Sequence, residues 1–146
     1  MDATPVSASD RLIDALGSAA FVTTAALSRI AAANDLSLTQ LRLLGILRDR
    51  SPRMADLADR LGLDRSSMTG LVTRAEARGL VERRRSATDG RSFEVALTAS
   101  GAGMAELLTQ QARTALAPYV AGFGAAEVGE LIALLERFDQ HPASRR

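Results

Sequence analysis

The chain has 146 residues, a formal net charge of +1, 47% hydrophobic and only 3% aromatic residues, and neither Cys nor Trp. That length supports one modest core rather than two, and the lack of Cys excludes disulfides, thiol redox switching and a cysteine nucleophile. All the cationic side chains are Arg: three stand against four carboxylates before Arg48, eleven against seven from Arg48 to Arg91, and four against six afterwards, so the positive excess is confined to the middle of the chain.

Met1 to Ser9 is polar, contains Asp2 and Pro5 and lacks the basic start and apolar core of a signal peptide. It is expected to be a flexible lead into a cytoplasmic protein. An Ala-rich helix follows to about Asn34, with Leu12, Ile13, Leu16, Val22, Leu27 and Ile30 as its larger apolar residues. Its uncharged run, Ala15 to Ser28, is shorter than the roughly 20 residues of a membrane span. Small residues nearly all round predict burial against other helices, including those of a second subunit. Asn34-Asp35 breaks the helix. Ser37 or Thr39 can cap the next, Leu38 to about Arg48, whose Leu41, Leu44, Ile46 and Leu47 would form a floor for what comes after. Ser51-Pro52 reads as a short connection.

From Met54 the spacing predicts two short helices. The first ends at Gly62, a residue suited to the left-handed conformation that stops helices. The second is capped by Asp64 and carries Met68, Leu71, Val72 and Ala75 on one face. On or beside the opposite face lie Arg65, Ser66, Ser67, Thr69, Gly70 and Thr73, all short or hydrogen-bonding except Arg65, so this helix can lie close against another polar surface. Two helices joined at a Gly turn make a helix-turn-helix. After Gly79 the period changes from 3.6 to 2: Val81 to Arg85 and Phe93 to Leu97 are short strands, joined through Asp89-Gly90 turn chemistry. A hairpin beside a helix-turn-helix is a winged helix.

Thr98 can cap a further helix to roughly Ala121, with Met104, Leu107, Leu108, Ala112, Leu116 and Val120 as its apolar set and Pro118 bending or shortening it. Gly122-Phe-Gly124 is a break. Ala125 to Asp139 forms a last helix with Val128, Leu131, Ile132, Leu134, Leu135 and Phe138, and the tail from His141 to Arg146 is expected to fray. The fold class is therefore mainly α with a small β-hairpin wing, the winged helix-turn-helix occupying residues 35–101.

The ordered set of an Asp-capped helix over Asp64 to Arg78, Arg-Gly-Leu-Val-Glu-Arg at 78–83, Asp-x-Arg at 89–91 and Leu-Thr-x-x-Gly at 97–101 resembles the MarR family of bacterial transcription regulators. Each piece alone is weak, and their order is what is specific. The resemblance implies that residues 10–34 and 102–140 form a helical dimerisation region, with flexible tails at 1–9 and 141–146. It also implies a homodimer that sets two recognition helices in successive major grooves, about 34 to 36 Å apart, on a near-palindromic site in double-stranded DNA.

On that reading the helix from Asp64 enters the major groove. Ser66, Ser67 and Thr69 are the leading candidates for base or phosphate contacts, because hydroxyls serve either, with Arg65 beside them and Arg74 on the backbone. Gly70 departs from the family, where a larger polar or basic residue is common. It either permits close approach or removes a base contact. Arg91 would reach into a narrow minor groove, Asp89 would hold Arg91 in place, and of Arg83, Arg84 and Arg85 one or two would face phosphate. Taken singly, each of these features reads equally well as solvated surface, and a winged helix used only for protein contacts is the alternative function.

Enzyme chemistry is the weaker competitor. The one His lies in the tail, there is no nucleophile elbow or metal-spaced His cluster, and Gly101-Ala-Gly103 lacks the third Gly of a dinucleotide loop. No cofactor or metal is expected. The resemblance implies a small aromatic or anionic effector in a cleft between the dimer helices and the winged helix, where Arg29 or Arg42 could pair with an acid or simply be surface charge. It also implies repression as the commoner mode of action.

Overall fold

Among the described residues, six helices and one hairpin form where the periodicity places them. The computed structural model describes residues 7–139, with α1 at Ala8–Ala33, α2 at Leu38–Leu47, α3 at Met54–Leu61, α4 at Arg65–Ala77, β1 at Val81–Arg85, β2 at Phe93–Leu97, α5 at Ala99–Val120 and α6 at Ala125–Asp139. Of the flexible lead expected over 1–9, Ala8 and Ser9 belong to α1. Ser7 caps α1 in a reciprocal box with Asp10, each side chain accepting from the other residue's backbone amide, which satisfies donors left open at a helix start. Residues 1–6 and the tail from 141, His141 included, lie outside the described residues.

The core is built on α2. Leu43, Leu44, Leu57, Met68, Val72 and Val95 are its largest fully buried side chains, each contributing about 1.5–3 kcal/mol by leaving water. Leu43 was absent from the expected floor, whereas Ile46 is only half-buried. Gly62 (φ 65°) and Gly79 (φ 69°) end their helices in the left-handed region, as a Cβ-less residue allows without strain.

β1 and β2 pair antiparallel, Val81 opposite Leu97 and Arg85 opposite Phe93. The Ser51-Pro52 connection does more than connect. The Val95 amide donates to the Pro52 carbonyl at 3.0 Å and Arg53 bridges Glu94, so the segment before α3 adds a rudimentary third strand to the wing. A proline early in this segment conceals such pairing, since only its carbonyl can join the ladder.

α5 starts against the turn between α4 and β1. Thr98 caps it by accepting from the Gly101 amide, donates its own hydroxyl to the Gly79 carbonyl, and gives its backbone amide to the Leu80 carbonyl. A Cβ on Gly101 would stand 1.8 Å from that Leu80 oxygen, which is why the Leu-Thr-x-x-Gly stretch ends in glycine. Pro118 does not stop α5, which runs two residues beyond it to Val120, although its missing amide leaves the carbonyl four residues earlier without its usual donor.

The terminal helices are different. α1 buries only Ala26, Ile30 and Ala31, while Leu12, Ile13 and Phe21 are 59%, 64% and 79% exposed. α6 follows a bend of 119° from α5, and its expected apolar set, Val128, Leu131, Ile132, Leu134, Leu135 and Phe138, is exposed throughout. By length and composition α1 meets the requirement for a membrane-crossing helix. Its inner end, however, packs into the core, and Arg11, Asp14 and Arg29 bracket the uncharged run.

Candidate nucleic-acid interface

α4 owes its start to Asp64, whose carboxylate accepts from the Ser67 amide at 2.7 Å and the Ser67 hydroxyl at 3.1 Å. Those bonds, with weaker ones from Ser66, hold the Asp64 carboxyl below the usual carboxylate range. Two of the three hydroxyls expected at the interface hydrogen-bond within the chain: Ser67 donates to Asp64 at 3.1 Å and Thr69 to the Arg65 carbonyl at 2.9 Å, while Ser66 is exposed. Thr73 accepts from Arg83 at 3.0 Å. Arg65 and Arg74 are exposed and form no ion pair among the described residues.

The three consecutive arginines of β1 divide by role. Arg83 forms an ion pair with Glu76 of α4 at 2.7 Å, and its backbone amide donates to the same carboxylate at 3.1 Å. It stitches the hairpin to α4. Arg84 pairs with Glu82 two residues away on the same strand, as alternation places them. Arg85 is exposed and reaches toward the Gly90 carbonyl at 3.5 Å, following the wing tip.

The wing loop is organised from Ser86, a residue that its sequence context does not mark. It is 5% exposed. Its hydroxyl donates to Glu94 at 2.6 Å and lies 3.4 Å from the amides of Thr88 and Asp89. At the tip Asp89 accepts from the Arg91 backbone amide at 3.1 Å, while Ser92 donates both its amide and its hydroxyl to the Asp89 carbonyl. Asp89 thus holds Arg91 through the backbone, leaving the guanidinium exposed and without an ion pair among the described residues.

α3, the first turns of α4 and the base of the wing enclose one cleft of about 600 Å³, with Arg53 and Arg65 among its lining residues and Phe93 and Met68 within. The winged helix therefore brings Arg65, Arg74 and Arg91 to exposed positions, while Arg83 is taken into the scaffold. Arg78 belongs to the scaffold too, a role its sequence context does not mark: it donates to the Asp35 carbonyl at 2.5 Å and ties the end of α4 to the turn between α1 and α2. Asp35 sits at φ 55°, which points its carbonyl group out of either helix. Arg29 and Arg42 lie exposed on α1 and α2, and neither lines this cleft.

A two-helix reading unit with a basic hairpin on a helical frame defines a winged helix-turn-helix protein, and comparison with known proteins narrows the class. The MarR family profile matches residues 34–92. The chain is 36% identical over 107 residues to the homoprotocatechuate degradative operon repressor of Escherichia coli, covering 72% of each chain. Its fold is similar to that of CouR from Rhodococcus jostii bound to p-coumaroyl-CoA, with a TM-score of 0.78, 22% identity and coverage of 90% of this chain and 94% of that one. It is also similar to a MarR family regulator from Listeria monocytogenes complexed with a 26mer DNA, with a TM-score of 0.74, 19% identity and coverage of 88% and 86%. The chain belongs to the MarR family and is a DNA-binding regulator of transcription.

Proposed function

We propose that the chain acts as a homodimeric repressor that binds a near-palindromic duplex and is released from it by a small aromatic or anionic effector. The observation that carries this reading is a contrast within one chain, between a finished basic reading face and apolar stripes on α1 and α6 left open to water. Contiguous apolar surface of that kind marks an interaction site, and a two-fold pair of chains buries both stripes at once. Each copy then supplies one α4 to a major groove and one Arg91 to a flanking minor groove, with Arg65, Arg84 and Arg85 near phosphate.

The effector class rests on relatives: the Escherichia coli repressor is named for homoprotocatechuate and the Rhodococcus protein holds p-coumaroyl-CoA, both built on a phenol. Within one chain the space between α2 and α5 is about 90 Å³, well below the roughly 300 Å³ of a typical ligand site. A second copy would supply the missing walls of an effector seat there, with the exposed Arg29 and Arg42 available to meet a carboxylate. Such a ligand controls binding only if it prefers one spacing of the two reading helices over the other.

Sedimentation of the purified protein, followed by fluorescence anisotropy with duplexes tiled across the region beside its own gene, tests the proposal. The expected result is a dimer that saturates one duplex at two chains per site and is displaced by a phenolic acid. Equal weak binding to every duplex would overturn control of its own neighbourhood, in favour of a distant operator or of a winged helix used for protein contacts.

A further inference from the structure

Gly70 occupies the middle of the outward face of α4, with Ser66 one turn before it and Thr73 one turn after, directly opposite Met68, Leu71, Val72 and Ala75. A Cβ built there would stand 3.2 Å from Nη1 of Arg74. The guanidinium thus folds back by a turn, as long helical side chains lean toward the N-terminus, and covers the place where residue 70 has no side chain of its own. It has no ion-pair partner among the described residues. Three of the four hydroxyls around it have partners, Ser67 on Asp64, Thr69 on the Arg65 carbonyl and Thr73 on Arg83, and Ser66 has the short reach of a single hydroxyl.

We propose that Arg74 is the principal base reader of this protein, presenting a planar pair of donors to a guanine from the seat that Gly70 vacates. This rests on the DNA-binding reading above and assigns its specificity. The chemistry favours guanine because only its major-groove edge offers two adjacent acceptors, O6 and N7, that match the guanidinium fork. Gly70 is the price in helix propensity, about 1 kcal/mol relative to Ala, of bringing that fork to the centre of the face. An arginine bound only to phosphate would need no such vacancy.

The test is selection from a random duplex library with the wild type, Arg74→Lys, Arg74→Ala and Gly70→Gln, followed by affinity measurements on the selected site with 7-deazaguanine placed at each guanine in turn. The wild type should select one guanine per half-site over other bases by roughly 5- to 150-fold. Arg74→Lys should weaken that preference while keeping the salt dependence, because it retains the charge and a donor but not the planar fork. Gly70→Gln, which fills the seat, should lose it. 7-Deazaguanine at that position should weaken the wild type and leave Arg74→Ala unaffected. Persistence of the guanine preference in Arg74→Ala, no effect of 7-deazaguanine, or uniform weakening on every sequence with a smaller salt slope would overturn the proposal. Failure of the wild type to select any sequence would instead overturn the sequence-specific reading on which it rests.

Discussion

The winged-helix region and the terminal helices are made from similar residues yet end in opposite states. Between Leu36 and Leu97 most large aliphatic side chains find partners in the same chain: Leu43, Leu57, Val72 and Val95 are wholly buried. In α6 the equally apolar Leu131, Leu134 and Leu135 find none and remain 40–51% exposed. The difference teaches that the reading head folds on information local to one chain. The frame leaves its hydrophobic periodicity open to water, which is the pattern the proposed dimer would bury.

The contrast breaks most visibly if the frame is altered and the head left intact. Replacing Leu131 and Leu135 together with Glu should give a folded monomer by sedimentation. Its affinity for a full site should fall by about 100-fold or more, because the second half-site is no longer bound intramolecularly. If the double variant stays dimeric, α6 is not the interface. At the joint between the regions, Gly101→Ala forces a methyl group onto the Leu80 carbonyl and should cost about 3 kcal/mol in urea unfolding.

Two arginines of the wing sharpen the contrast between scaffold and reader. Arg91→Ala should lower DNA affinity by roughly tenfold and reduce the slope of log K against log salt by about 0.9 if it neutralises one phosphate-equivalent of charge, with no change in melting temperature. Arg83→Ala should do the reverse, costing about 0.5–1 kcal/mol of stability through its ion pair with Glu76 and leaving the salt slope unchanged. The smallest effect is the Asp64 cap. Its depressed carboxyl contributes stability that is fully present above the unfolded value near 3.8 and lost as pH falls through the lower folded value. The melting-temperature gap between wild type and Asp64→Ala should hold from pH 7 to 5 and close below about pH 4.

Much of this was legible before any coordinates. The limits of β2 follow from alternation, and the Asp64 cap and the Gly62 and Gly79 stops follow from local backbone chemistry. Where side chains engage one another was not legible. Arg83, Arg84 and Arg85 look alike in sequence, and only the register of β1 against α4 sends the first to Glu76. Ser86 carries no signal because its burial depends on Glu94, eight residues away across the hairpin. The serines of α4 look alike in sequence, and only the structure shows that the Ser67 hydroxyl also bonds the capping Asp64. Leu43 was missed because α2 is apolar on more than one side, so its inward face cannot be told from period alone.

The anchoring of α5 against the Gly79-Leu80 turn has a mechanical consequence. With Thr98 bonded to both residues and Gly101 pressed on the Leu80 carbonyl, the 22-residue α5 is a stiff lever about 33 Å long, clamped at the head and pivoting where two copies would meet. A swing of ~5° at that pivot displaces the far end by about 3 Å, nearly one base-pair step of 3.4 Å. A small ligand would need to shift the pivot by only a few degrees to throw the two heads out of phase with the groove.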